Sequence, residues 1–258
     1  MKIFCAMILL LLSTTCFAQD EDSEDAEENS ASIPETIVVD RPSFAFPPDT
    51  VGVGVKSLES GVLVTRNKGE DALVSTPLLL RIGTHEDFEW RFSTSGVNFQ
   101  NSDVGWSDLS TGFKWRFLES DRADVSLLTS LNVPVGSSAF RGDAVSGNVI
   151  LISNFPVADN TGILVNLGAN TAGNSGRDDV LVGYFTLGVS QSLTERLSVY
   201  VEVAGFTPQE VGGPSTMAGD VCFAYLIDDN TSFDFAGFKG FSSSGLDWSA
   251  TVGLSHRF

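Results

Sequence analysis

The chain has 258 residues, with 15 Lys and Arg against 33 Asp and Glu, a formal charge of −18, 42% apolar residues, 25 glycines and two histidines. That acidity excludes a nucleic-acid binder, because nothing could neutralise a phosphate backbone. No apolar run reaches about 18 residues, which excludes a helical membrane span and leaves a Gly-rich, weakly charged all-β chain, exported or embedded.

Residues 1–18 read as a secretory signal peptide: Lys2, the apolar stretch from Ile3 to Leu12, then Cys16-Phe17-Ala18, with cleavage after Ala18. The competing reading, an acylated Cys16, lacks the Leu and small residue such a site favours before the cysteine. Cleavage leaves Cys222 alone, so no intramolecular disulfide forms. Residues 19–49 are expected to be a disordered linker. Asp20, Glu21, Asp22, Glu24, Asp25, Glu27 and Glu28 repel one another, and Pro34, Pro42, Pro47 and Pro48 make the remainder extended and irregular. A solvated spacer is the plainer reading of the acidic run, against a cation-binding or partner-binding tail.

From Thr50 onward the dominant period is two. In the last segment Trp248, Ala250, Val252, Leu254, His256 and Phe258 share one face, while Asp247, Ser249, Thr251, Gly253, Ser255 and Arg257 share the other. Twelve such segments are predicted: 55–66, 72–83, 87–98, 107–118, 123–134, 147–155, 161–171, 179–191, 197–207, 216–227, 232–243 and 247–258. Short polar connections (84–86, 119–122, 157–160, 193–196, 228–230) alternate with longer ones (99–105, 135–146, 172–178, 208–215). An antiparallel transmembrane β-barrel with short periplasmic turns, longer outer links and an even strand count predicts that alternation. A two-sheet sandwich would also alternate. The barrel is preferred because the polar faces are rich in Gly, Ser, Thr and Asn rather than Lys and Glu, and because Phe and Trp sit near segment ends as interfacial girdles do. Lys239 breaks the pattern, standing where an outward apolar residue is expected; a bulge or a rim position could absorb it.

The closing Leu254, His256 and Phe258 resemble the sorting signal of bacterial outer-membrane barrels, with His256 where an aromatic is usual. Further stretches carry a family resemblance: Asp40-Arg41-Pro42, the block from Thr50-Val51-Gly52 to Gly61-Val62, Leu79-Leu80-Arg81-Ile82-Gly83, residues 108–115, residues 128–136, residues 193–200 and the closing strand. In these the chain resembles the meta-pathway of phenol degradation family of outer-membrane proteins, a transporter-like group. The resemblance implies a barrel in the Gram-negative outer membrane that passes small compounds, aromatic or hydrophobic ones among them, with lipid and the barrel-assembly machinery as partners.

With apolar faces toward lipid, the inward set is Glu59, Arg81, Glu89, Arg91, Asp108, Lys114, Arg116, Asp124, Glu202, Asp220, Asp234 and Arg257. Mixed charges facing one interior can form a salt-bridge network that fills a narrow barrel, a polar eyelet for a small solute, or both, since twelve strands lie between filled and open barrels. Two alternatives stay open: a plugged structural barrel that transports nothing, and an outer-membrane hydrolase. The second needs Ser, His and a carboxylate together, and His85 and His256 read more simply as a turn residue and an interface residue. No catalytic constellation, metal-ligand spacing, phosphate-cradling loop or cofactor motif is present.

Overall fold

The computed structural model describes residues 34–172 and 180–258. The expected signal peptide, the acidic run, Cys5, Cys16 and residues 173–178 of the third long link lie outside the described residues. Every element is a strand: β1 (Lys56–Asn67), β2 (Leu73–Ser75), β3 (Leu78–His85), β4 (Phe88–Thr94), β5 (Val97–Gln100), β6 (Asp103–Trp106), β7 (Leu109–Leu118), β8 (Asp124–Val133), β9 (Ser146–Ala158), β10 (Thr161–Ala172), β11 (Val180–Ser192), β12 (Leu197–Phe206), β13 (Thr216–Asp228), β14 (Thr231–Gly240) and β15 (Leu246–Arg257). All pairings are antiparallel, and β15 closes on β1 from Ser57↔Arg257 to Arg66↔Trp248. Twelve strands make the wall, as the periodicity predicts; β2, β5 and β6 continue it beyond β1 at the long-link end.

The burial pattern is the inverse of a soluble protein's. Glu59, Arg81, Glu89 and Lys114 are 0% exposed, while Trp115, Leu254 and Leu167 are 48%, 50% and 55% exposed. Polar side chains face a shared interior and apolar ones face outward, which decides for the barrel over the sandwich. Closure leaves the wall no unpaired edge, the condition for a β-structure in hydrocarbon.

Three expectations are corrected. The predicted strands 72–83 and 87–98 each break in two. Pro77 cannot donate to the ladder and separates β2 from β3. Gly96, at φ 72°, separates β4 from β5, and a Cβ there would lie 2.0 Å from the Thr76 carbonyl oxygen. The expected open link 99–105 is a tight hairpin of β5 and β6, turned by Asn101 at φ 55°. Finally, the Pro-containing half of the linker, expected to be disordered, is ordered against the barrel's inner wall. Its signal was hidden because its partners lie far along the chain.

Candidate functional site

The segment before β1 enters and leaves the lumen at the short-turn end. The Ile37 N–H donates to the Asp229 carbonyl at 2.7 Å, and Arg257 donates to the carbonyls of Pro34 and Glu35. The chain then crosses the interior and returns, the Thr50 hydroxyl donating to the Glu86 carbonyl and the Gly54 N–H to that of Gly83. Between these points it touches inward residues all round the wall: Glu59 of β1, Arg81 of β3, Glu89 of β4, Lys114 of β7, Ser126 of β8, Asn166 of β10, Glu202 of β12, Asp220 of β13 and Asp234 of β14. Only a segment inside a closed barrel can meet all of them.

Six buried charges form its anchor. Asp40 lies 3.4 Å from Arg81, 2.6 Å from Arg91 and 2.9 Å from Lys114. Arg81 also pairs with Glu59 at 3.1 Å and Glu89 at 2.8 Å, and Arg91 pairs with Glu89 at 2.7 Å. Three carboxylates balance three cations, so the cluster is neutral, the condition under which charges tolerate removal from water. Burial opposes ionisation of Asp40, but Arg81, Arg91 and Lys114 outweigh it and hold the carboxyl well below the usual range.

The far part of the segment is held mostly by its main chain. The N–H groups of Asp40 and Arg41 donate to Glu59, that of Phe44 to Asp220 at 3.1 Å, that of Ala45 to Glu202 at 2.8 Å and that of Val51 to Glu89 at 2.9 Å. Asn166 accepts from the Phe46 N–H at 2.7 Å and donates to its carbonyl, and Phe46 packs on the buried Leu128, Ile150 and Ile152. Arg41 pairs with Asp234 and donates to the Thr251 hydroxyl at 2.7 Å. It lies over Gly61 and Gly253, which face each other across the closing β1–β15 ladder; a Cβ at either would come within 2.5 Å of the guanidinium.

Open space remains on both sides. Two adjoining cavities of about 570 and 510 Å³ share Ser130, Asn132 and Asn148 toward the long-link end. A third, of about 310 Å³, is lined by Pro47, Pro48, Asp49, Asn154 and Tyr200 toward the short turns. The step from Phe46 to Pro47 therefore runs between the two sides. A further cavity of about 390 Å³ is mainly apolar, with Phe44, Phe46, Leu63, Leu79, Phe238 and Leu246 in its walls.

The twelve residues expected to face the lumen do not gather at one place. Glu59, Arg81, Glu89, Arg91, Lys114, Glu202, Asp220 and Asp234 are buried against the re-entrant segment. Asp108 sits at the long-link end, accepting from the N–H groups of Gly136 and Gly142. Arg116 pairs with Asp87 and Glu119 at the short-turn mouth. Asp124 accepts from the Ser120 N–H within a turn, and Arg257 bonds Asn230. Sequence reasoning missed Asp40, Arg41, Phe46 and Asn166; a surplus of inward cations on β3, β4 and β7 was the available hint that counter-charges had to come from elsewhere. Of the closing residues, Leu254 and Phe258 are exposed outward, and His256 packs edge-on to Phe258 and bonds the Thr231 hydroxyl. Lys239 needs no bulge: it faces outward at the rim and pairs with Asp247. His85, expected in a turn, is the last residue of β3 and pairs with Phe88, its ring accepting from the Asp87 N–H.

Twelve antiparallel strands closed on themselves, greasy outside and charged within, define a barrel of the outer-membrane type. The architecture is similar to an outer membrane channel from Pseudomonas putida F1 (TM-score 0.63, 11% identity, covering 81% of this chain and 97% of that one). It is also similar to the NanC porin (0.57, 10%, 78% and 98%) and to the KdgM porin in complex with disordered oligogalacturonate (0.57, 12%, 78% and 99%). No curated protein matches the sequence. Residues 39–258 match the family described as "Putative MetA-pathway of phenol degradation", and the chain belongs to that family.

Proposed function

We propose that this protein is a channel of the Gram-negative outer membrane, passing small solutes passively through a lumen that its own re-entrant segment narrows. One observation carries the reading: open cavities lie on both sides of a segment held by ion pairs and hydrogen bonds, with no covalent tie across the lumen. The apolar cavity beside Phe44 and Phe46 supports aromatic or hydrophobic solutes among the cargo, as does the description of the family. The outward Leu254 and Phe258 suit recognition by the barrel-assembly machinery.

The same segment favours a second reading, a barrel kept shut for a structural role. Folded protein in planar bilayers separates the two. A channel gives ion conductance that rises when residues 34–49 are deleted. Silence in both forms, each showing heat-modifiable mobility as a folded barrel, leaves the structural reading. Release of p-nitrophenol from an acyl ester by folded protein would support the hydrolase alternative instead.

A further inference from the structure

Lys239 has no part in the lumen, and its surroundings give it another. Its register partner on β15 is Trp248, and the partner of Trp248 on β1 is Arg66. Three side chains therefore stand side by side on the outward face of β14, β15 and β1, near the end where those strands meet the longer links. Among the described residues, the only other Lys or Arg that a wall strand turns outward is Lys56, at the opposite end.

We propose that Arg66 and Lys239 bind the phosphate group of an anionic lipid at the outer rim, with Trp248 packed against the lipid between them. Neighbouring strands lie about 4.8 Å apart, so the two cations flank the indole at roughly 10 Å between backbones. Both stems are long enough for the heads to swing onto one group between them. Trp248 is 37% exposed, with its ring at the level where barrels place their aromatic girdles. Lys68, just beyond β1 and bonded to the Ser242 carbonyl, adds a third cation beside the site.

The competing account is a self-contained rim ion pair, since Lys239 meets Asp247 at 2.7 Å. That account covers Lys239 alone: among the described residues Arg66 makes no ion pair, and Lys68 is bonded to a carbonyl. The Lys239 side chain keeps 59% exposure, and its ammonium has three donors, of which Asp247 takes one. Glu70 and Asp71 follow in the link, with Glu70 engaged by the Asn67 amide. A free anion approaching a chain of charge −18 is repelled. A lipid phosphate is held at the rim by its acyl chains, so the membrane is the source the geometry suits.

The test needs no conduction and stands if the lumen proves silent. Full-length folded barrel in detergent is titrated with diphosphorylated lipid A, dephosphorylated lipid A and inorganic phosphate, following tryptophan fluorescence, with folding of each variant checked by heat-modifiable mobility. Saturable binding of the diphosphorylated lipid is expected. It should be roughly thirtyfold weaker in R66Q/K239Q, unchanged in K56Q and retained in R66K/K239R. Wild-type protein that binds the dephosphorylated lipid equally well overturns the proposal without recourse to any variant. So does competition by inorganic phosphate at the lipid's own concentration, which would mark a free-anion site, and so does undiminished binding by R66Q/K239Q.

Discussion

Replacing Asp40 by Ala is the sharpest probe of the re-entrant segment. The substitution removes three ion pairs, to Arg81, Arg91 and Lys114, and leaves three buried cations over two carboxylates. Stripping one partner from a buried pair costs about 3–5 kcal/mol, because the remaining charge is left uncompensated in a low-dielectric setting. The wall ladders do not involve the Asp40 side chain, so the cost falls on docking of the segment and not on the barrel. The undocked fraction should rise roughly 10²- to 10⁴-fold. In planar bilayers D40A should show a higher open fraction or larger single-channel steps than the parent, with heat-modifiable mobility intact. A folded D40A barrel with the parent's conductance would refute the idea that this cluster keeps the lumen narrow.

Acid should reach the same anchor late. The Asp40 carboxyl is depressed by its three cations, so its contribution is complete above the ordinary carboxylate value of about 3.9 and is lost only as pH falls through the lower folded value. Conductance limited by Asp40 ionisation should stay flat from pH 7 to about 4 and rise only in stronger acid; a rise near pH 6 would show a different group in control. R116Q removes a cation at the short-turn mouth, where its side chain is 15% exposed, and should shift the reversal potential under a salt gradient toward cation preference. An unchanged potential would take Arg116 out of the permeation path. E202Q and D220N keep acceptors for the N–H groups of Ala45 and Phe44 while removing two carboxylates that lack a cationic partner among the described residues. Both should fold normally and lower cation preference, and a normal reversal potential in the double variant would count against a role in selectivity.

The wall was legible because its signal is local. Alternation within ten residues separates Lys114 from Trp115, and the same arithmetic holds for Ser255 and Leu254. The breaks at Pro77 and Gly96 were also written in the chain, but alternation continues past each and hid them. The lumen was legible only as a list of charges. Which ones meet depends on contacts such as Lys114 with Asp40, 74 residues apart, that no window spans. The segment around Asp40 reads as linker because Pro34, Pro42, Pro47 and Pro48 make a chain irregular and unfit for a strand. Here the interior it joins is itself polar, so composition pointed the wrong way.

The donors that fasten the segment to Glu59, Asp220, Glu202 and Glu89 are peptide amides. Nineteen of the twenty amino acids would present the same hydrogen at those positions, and proline alone would not. Prolines already sit at 42, 47 and 48, interspersed among the donating positions and at none of them. Asp40 and Arg41 hold by their side chains as well, but beyond them the fastening is written into the acids of the wall, so a position such as 44 can exchange the side chain that a passing molecule meets without losing its hydrogen bond.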